Sequence, residues 1–290
     1  MSGQGPIPTA VLSQRLVEAI GGRRVRSAFF TTFSFDPGFF ELHILPLLFD
    51  QSFSQVDKVR RIQLEDALRQ VDHLAVYFDR SALAQEGEPA QLDFRRLDVG
   101  RKTGAFHPKI VMLLVDELPE DGESEVYQAL IVGILSANLT RSGWWENVEC
   151  AHFEEIKDWE IDGKRCSFRQ DLLPLLQQLK RSTGPGEEQP ALDDISAFLK
   201  HRTNRAAVRQ ASSQGKFFTR VFCGQQSLTL SDWLAALRID RKEWNLENIS
   251  PCFDPTGEGR LRPLLAPLAH VPGHERRQGQ CLLRQSALAG

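Results

Sequence analysis

His107 and Lys109 form the pattern His-x-Lys at the start of the apolar run 110–115. Side chains two residues apart on a β-strand point to the same face, so this spacing predicts an imidazole and an ammonium side by side. A neutral imidazole can attack phosphorus, and a lysine ammonium can neutralise the non-bridging oxygens of a phosphate. The pair therefore indicates phosphoryl chemistry.

A second apolar run, residues 129–135, is followed by Ser136 and Asn138. If the two runs pair as a hairpin, these two polar residues return towards His107. The Asn138 carboxamide then donates N–H groups to the same phosphate oxygens, and loss of such a donor typically costs about 3–4 kcal/mol of transition-state stabilisation. This chemistry requires no metal or other cofactor, and no group of Asp, Glu and His residues has the spacing of metal ligands.

The runs FHPKIVMLL and ALIVGILSANLTRSGWWENVE resemble the phospholipase D superfamily, whose motif is His-x-Lys followed, after a strand and a turn, by a small residue, any residue and Asn. The resemblance is strongest to the tyrosyl-DNA phosphodiesterases and their bacterial nuclease-like relatives. That branch lacks the Asp that many phospholipases carry five residues after the Lys, and Leu114 stands there in this chain. The Gly-Ser that often precedes the Asn is Leu135-Ser136 here, a mild departure.

The resemblance covers residues 28–156 well and the remainder loosely. It implies a phosphodiesterase that acts on DNA ends or DNA phosphodiester bonds through a phospho-histidine intermediate, without a metal. It assigns the catalytic roles to His107, Lys109 and Asn138. Supporting roles fall to Ser136 and to an Asn-x-Glu element that often follows the motif, Asn147 and Glu149.

Enzymes of this family use two such motifs, with one His as nucleophile and the other as general acid. None of the six other histidines in this chain has a Lys two residues later. One explanation is a homodimer that brings two copies of His107 to one phosphate. The other is a second lobe whose motif is missing, and here we favour truncation or a change of reading frame near His270. The alternative function is a non-catalytic or vestigial nucleic-acid-binding protein of a repair or defence system.

Four residues near the motif are candidates for substrate binding. Arg101 and Lys102 precede His107 closely and are suited to a phosphate backbone. Trp144 and Trp145 follow the Asn strand and are suited to stacking on a nucleobase. Ordinary core packing is the alternative for the two tryptophans, and the sequence alone favours it.

Alternating strands and helices predict an α/β sandwich. The resemblance implies that this is a phospholipase D-like α-β-α sandwich with a central mixed sheet. Aromatic, β-branched and aliphatic runs indicate strands at residues 28–35, 73–78, 92–99, 110–115, 129–135 and 150–156. The runs 110–115 and 129–135 are apolar throughout, which is typical of strands covered on both faces. Helical spacing indicates helices at residues 11–20, 39–49, 62–70, 167–179 and 191–210, and Asp36 is placed to cap the second of them.

We divide the chain into a complete lobe at residues 11–181, a linker and helix at 182–215, and the start of a second lobe at 216–290. The linker is assigned from the run STGPGEEQP, and the second lobe from a strand-turn-helix pattern that echoes the first. The organisation is therefore one complete lobe plus a partial second lobe.

The composition is that of a soluble globular protein, with 41% hydrophobic and 25% charged residues. The formal charge of −3 means that any contact with nucleic acid depends on local basic patches rather than on the total charge. Five widely spaced cysteines suggest neither a zinc site nor a disulfide framework. The sequence has no signal-peptide pattern and no apolar run of membrane-spanning length, so we expect a cytoplasmic protein without membrane partners.

Overall fold

The computed structural model describes residues 11–84, 90–100, 105–117, 127–158, 165–166, 169–184 and 186–205. The chain divides into two compact units, residues 1–206 and residues 207–290, and all the described residues belong to the first. The predicted second lobe at 216–290 therefore lies outside the described residues.

Helices and strands alternate along the first unit. Helix α1 spans Leu12–Ile20, strand β1 Val25–Thr32, α2 Pro37–Phe39, a π-helix Phe40–Ile44, a 3-10 helix Leu45–Leu48, α3 Asp57–Leu68, β2 His73–Asp79, β3 Arg95–Val99, β4 Ile110–Glu117, β5 Tyr127–Leu135, a second π-helix Ser142–Glu146, β6 Ala151–Lys157, β7 Arg165–Cys166, α4 Arg169–Ser182, α5 Pro190–His201 and β8 Asn204–Arg205. No helix among the described residues has both the length and the apolarity that a membrane crossing requires.

Six strands form the central sheet in the order β3-β2-β1-β4-β5-β6. Strands β1, β2 and β3 run parallel to one another, whereas β4 runs antiparallel to β1. Strands β4, β5 and β6 form an antiparallel meander, with Ile110 opposite Ile134. The sheet is therefore mixed, as predicted, and the two most apolar runs lie inside it as a hairpin.

Both faces of the sheet are covered, which explains why its central strands are apolar throughout. On one face the ring of Phe30 packs against Phe40 in the first π-helix, with centroids 5.2 Å apart. On the other face Phe29 packs against Tyr77, whose hydroxyl donates a hydrogen bond to Gln189 just before α5. The predicted α/β sandwich is confirmed.

Helix α5 packs on the sheet near the start of β1 and β2. The Asp194 carboxylate accepts a hydrogen bond from the Ser27 hydroxyl and lies 2.7 Å from His73 Nδ1. The prediction of a helix to residue 210 was wrong, because the Thr203 hydroxyl caps the Leu199 carbonyl and the chain then enters β8. The residues from 186 to 201 are thus packed on the lobe that contains the His-x-Lys motif.

Several other element boundaries differ from the predictions, and the predicted helix at 39–49 is a π-helix, Phe40–Ile44, followed by a 3-10 helix, Leu45–Leu48. Two of the strand boundaries have a clear cause. Strand β1 ends at Thr32 rather than residue 35, because the Thr32 hydroxyl donates to the Ser34 carbonyl at 2.7 Å and turns the chain. Strand β3 begins at Arg95 rather than residue 92, because the Leu92 N–H donates to the Glu41 carboxylate. The predicted cap is confirmed, since Asp36 Oδ1 accepts a hydrogen bond from the Phe39 N–H at 2.9 Å.

Candidate active site

The motif residues collect at one edge of the sheet. Because β1, β2 and β3 are parallel, their carboxyl ends lie at the same edge, which is also where β5 ends and where β4 and β6 begin. His107 and Lys109 lead into β4, Asn138 follows β5, and Glu149 precedes β6. The topology alone therefore brings the segment before β4 to the same place as the segment that connects β5 to β6.

Lys109 is buried beside the exposed His107. Its ammonium Nζ lies 2.9 Å from His107 Nδ1 and 3.1 Å from Nε2, and it donates to the His107 carbonyl at 3.2 Å. The Lys109 carbonyl accepts the Leu135 N–H at 2.9 Å, which locks this segment to the end of β5. The hairpin thus presents the imidazole to solvent with the ammonium packed against it.

The charges of this pair are tuned by burial and by two carboxylates. Burial lowers the pKa of His107, and the Lys109 ammonium lowers it further, whereas Asp79 acts in the opposite direction. Burial also lowers the pKa of Lys109 to about 8, opposed by Glu149. At neutral pH the imidazole is therefore largely neutral while the ammonium still carries its charge.

Asn138 is held by the turn that follows β1. Its amide oxygen Oδ1 accepts a hydrogen bond from the Ser34 N–H at 3.2 Å and lies 3.3 Å from the Thr32 hydroxyl oxygen, whose proton is donated to the Ser34 carbonyl. Only the oxygen can face a backbone donor, so these contacts fix the orientation of the amide and leave its NH₂ group to donate elsewhere. Between Thr32 and Ser34, the Phe33 ring packs on His107 with centroids 5.1 Å apart. The same turn therefore contacts both halves of the motif.

The segment after Asn138 folds tightly against it. A Cβ at Gly143 would lie 2.5 Å from the Asn138 carbonyl oxygen and 2.8 Å from its nitrogen, closer than any side chain tolerates. The Thr140 N–H donates to the Asn138 carbonyl at 2.8 Å, and the Trp144 N–H to the Thr140 carbonyl at 3.1 Å. Gly143 is therefore required for the second π-helix to pack on Asn138.

The three predicted supporting residues lie in the segment that connects β5 to β6. The Ser136 hydroxyl donates to the Glu149 carboxylate and accepts the Cys150 N–H at 2.8 Å. Asn147 is exposed, and its amide nitrogen lies 3.5 Å from Glu149 Oε1. Ser136 and Glu149 thus form one bonded unit, and the charge of Glu149 acts on Lys109.

The structure separates the two tryptophans. Trp144 is 5% exposed and packs in the core, so its ring has no face open to a substrate. Trp145 is 46% exposed; its ring contacts His43 and Phe39, and the Arg141 guanidinium lies 5.2 Å from its centre. The predicted substrate contacts Arg101 and Lys102 lie outside the described residues.

Three site residues were missed by the sequence analysis: Thr32 and Ser34, which hold Asn138, and Asp79, which acts on His107. A weak signal was present, because each is polar and stands at the end of an apolar strand run. Their partners lie far away in sequence, so no local pattern could assign them.

The site can bind and attack an anion. It combines a buried ammonium, an amide donor of fixed orientation and an exposed imidazole, the groups that stabilise and attack a phosphoryl group. No group of three or more His, Cys, Asp or Glu side chains among the described residues is arranged to hold a metal ion.

Comparison with known proteins identifies similar solved structures only. No protein-family model matches the chain, and no match was found among curated proteins. A mutant of yeast tyrosyl-DNA phosphodiesterase is similar over 65% of this chain and 38% of its own, with 9% identity and a TM-score of 0.40. NucT from Helicobacter pylori is similar over 59% of this chain and 87% of its own, with 15% identity and a TM-score of 0.30. This chain thus spans less than two-fifths of the yeast enzyme, and at these values the likeness carries no argument about function.

Proposed function

We propose that this chain is a metal-independent phosphodiesterase of the phospholipase D type that acts on nucleic acid, with DNA favoured over lipid. One observation carries the proposal. The His107 imidazole, the Lys109 ammonium and the Asn138 amide are held at one edge of the sheet, with the imidazole exposed and its pKa lowered. Nucleophile, charge and hydrogen-bond donor are the three components that phosphoryl transfer requires.

In the proposed reaction His107 attacks phosphorus, which forms a P–N bond as the P–O bond to the leaving group breaks. Lys109 and Asn138 stabilise the non-bridging oxygens, and an acid supplies a proton to the leaving oxygen. Water then attacks the phospho-histidine as the P–N bond breaks, the conjugate base of that acid takes the proton of the water, and free His107 is restored. Both steps then balance without a metal or cofactor.

The acid is the unassigned component. His107 can fill one of the two histidine roles, and the chain contains no second His-x-Lys. We propose that a twofold homodimer supplies the other His, from the second copy of His107. If the chain is instead one lobe plus a second lobe whose motif is missing, the site lacks its acid.

Nucleic acid is the substrate class that suits the rim of the site. The exposed Trp145 ring, with Arg141 beside it, offers a surface on which a base can stack next to a bound phosphate. Gly143 packs directly against the backbone of Asn138, and Trp145 follows Gly143 by two residues in the chain. Arg101 and Lys102 stay predictions as backbone contacts.

A second candidate function rests on the single motif. A chain with one His-x-Lys can bind a phosphate at Lys109 and Asn138 without completing turnover. The chain would then be a non-catalytic nucleic-acid-binding protein of a repair or defence system.

Hydrolysis of an oligonucleotide that carries a 3′-aryl or 3′-tyrosyl phosphodiester, measured in EDTA, tests the proposal. We expect cleavage that EDTA does not reduce and that His107→Ala abolishes. His152→Ala is the matched control, because His152 is also exposed at this edge of the sheet and is bonded to Glu154 alone. Cleavage that requires Mg²⁺ would contradict the mechanism. Tight oligonucleotide binding without any cleavage would favour the second candidate.

A further inference from the structure

The carboxylate of Asp79 is buried, 5% exposed, at the carboxyl end of β2. Its Oδ2 accepts the N–H of Phe106 at 2.6 Å, and its Oδ1 accepts the Ser81 N–H at 2.9 Å and the Ser81 hydroxyl at 2.5 Å. Burial of a carboxylate costs free energy unless its oxygens accept hydrogen bonds, and both oxygens of Asp79 do so here. The position is therefore built to hold a negative charge.

The same residue contacts the backbone of two segments that meet at His107. The Asp79 carboxylate fixes Phe106, the residue directly before His107. The Asp79 N–H donates to the carbonyl of Phe33 at 3.3 Å, and the Phe33 ring packs on the imidazole. Asp79 thus links the segment that carries His107 to the turn that supports its ring.

We propose that Asp79 is a positioning residue of the candidate site, which fixes both the His107 segment and the Phe33 turn and supplies a buried negative charge to the imidazole. The predicted effect of Asp79 on catalysis rests on the proposed function. The predicted effect of Asp79 on the charge state of His107 does not.

The charged groups around His107 come from three elements. Lys109, on the same segment, favours the neutral imidazole, and Asp79, from β2, favours the imidazolium. Glu149, before β6, acts on Lys109, while Phe33 from the end of β1 is uncharged. Removal of the Asp79 charge therefore takes away one of the two influences that raise the pKa of His107, and that pKa falls further.

The test is an NMR titration of the full chain with isotope-labelled histidine, in which His107→Ala assigns the resonance. We expect Asp79→Asn to lower the titration midpoint of His107, because the negative charge that favours the imidazolium is removed. Asp98→Asn is the matched control, because Asp98 lies on the neighbouring strand β3 at the same edge and is exposed beside Arg80. An unchanged midpoint in Asp79→Asn, or an equal change in Asp98→Asn, would overturn the proposal.

The second measurement uses the same variant. The amide proton of Phe106 should move upfield in Asp79→Asn relative to the unmodified chain, because a neutral amide oxygen is a weaker acceptor than a carboxylate. A Phe106 resonance that is unchanged in Asp79→Asn would overturn the linkage.

The catalytic consequence is measured on an aryl phosphodiester in EDTA. Asp79→Ala releases Phe106, and the resulting misplacement of His107 should lower kcat by roughly 10- to 100-fold with a smaller change in KM. If the chain cleaves no phosphodiester at all, the proposed function fails and the two NMR measurements still decide the role of Asp79. If it cleaves the ester and both NMR measurements are negative, the proposed function stands and the role of Asp79 is rejected.

Discussion

Lys109 combines two properties that oppose each other. Its side chain is buried, and burial disfavours the charged ammonium. Beside His107, however, the side chain can attract a phosphate only while it carries that charge. Burial lowers the pKa of Lys109 to about 8, and the carboxylate of Glu149 keeps it from falling further. The proposed nucleophile, His107, therefore titrates below neutral pH and the ammonium of Lys109 above it.

This arrangement predicts a bell-shaped pH dependence of kcat/KM for an aryl phosphodiester. As pH falls through the lowered pKa of His107, the imidazole takes up a proton and cannot attack, so activity is lost below the ordinary value of 6.5. As pH rises through about 8, Lys109 loses its charge and activity falls again.

Lys109→Arg separates the two limbs of this profile. Arginine stays charged at all accessible pH, so the variant should lose the alkaline limb, whatever its absolute rate. An alkaline limb that persists near the same pH in Lys109→Arg would mean that another group titrates there.

At the scale of elements, the segment between β5 and β6 fixes Asn138 through a contact that admits no side chain. In Gly143→Ala the new Cβ meets backbone atoms of Asn138, so the amide must move. We expect activity to fall by roughly 10- to 100-fold and stability to fall by about 1–3 kcal/mol.

Gly184→Ala provides the control for this prediction. The nearest atom to its Cβ is Cγ of Glu187 at 3.9 Å, so the methyl group has room. We therefore expect kinetics and thermal melts to show a loss of activity and stability in Gly143→Ala and no such loss in Gly184→Ala. Full activity in Gly143→Ala would refute the packing argument.

The elements themselves were largely readable from the sequence. The apolar runs gave the strands β4 and β5, and their hairpin returned Asn138 towards His107 as expected.

The end of α5 was misjudged, because the Thr203 hydroxyl and a pairing with β7 stop a helix whose local spacing continues. The partners of Asn138 were also missed, since Thr32 and Ser34 lie over a hundred residues away in sequence. Local sequence patterns predict individual helices and strands, whereas contacts between distant residues depend on how the helices and strands pack together. The family assignment stays a prediction.

At the scale of the whole molecule, one His-x-Lys predicts limited catalysis by a monomer. General acid catalysis contributes about 10²–10⁴-fold, and an alkoxide leaving group depends on it far more than a nitrophenolate. We therefore expect an isolated monomer to cleave activated aryl phosphodiesters only. The measurement is the molar mass in solution beside the rates on aryl and alkyl phosphodiesters.

Mixing experiments distinguish a shared site from a complete one. If two copies of His107 meet at one phosphate, an excess of the His107→Ala chain should suppress the wild-type activity, while His152→Ala should not. A monomer that cleaves unactivated DNA phosphodiesters at ordinary enzyme rates would contradict the prediction, because another residue must then supply the acid.

The topology of the sheet also sets an order of assembly. The meander β4-β5-β6 joins strands that are neighbours in sequence, whereas β1 enters the centre of the sheet by pairing with β2 and with the more distant β4. Contacts between distant segments carry a larger loop-closure cost and form later during folding. We therefore expect His107, Lys109 and Ser136 to come together early on the meander, and Asn138 to be fixed only when Thr32 and Ser34 arrive. A nascent or partly unfolded chain would then expose the proposed nucleophile before the proposed phosphate donor is in place.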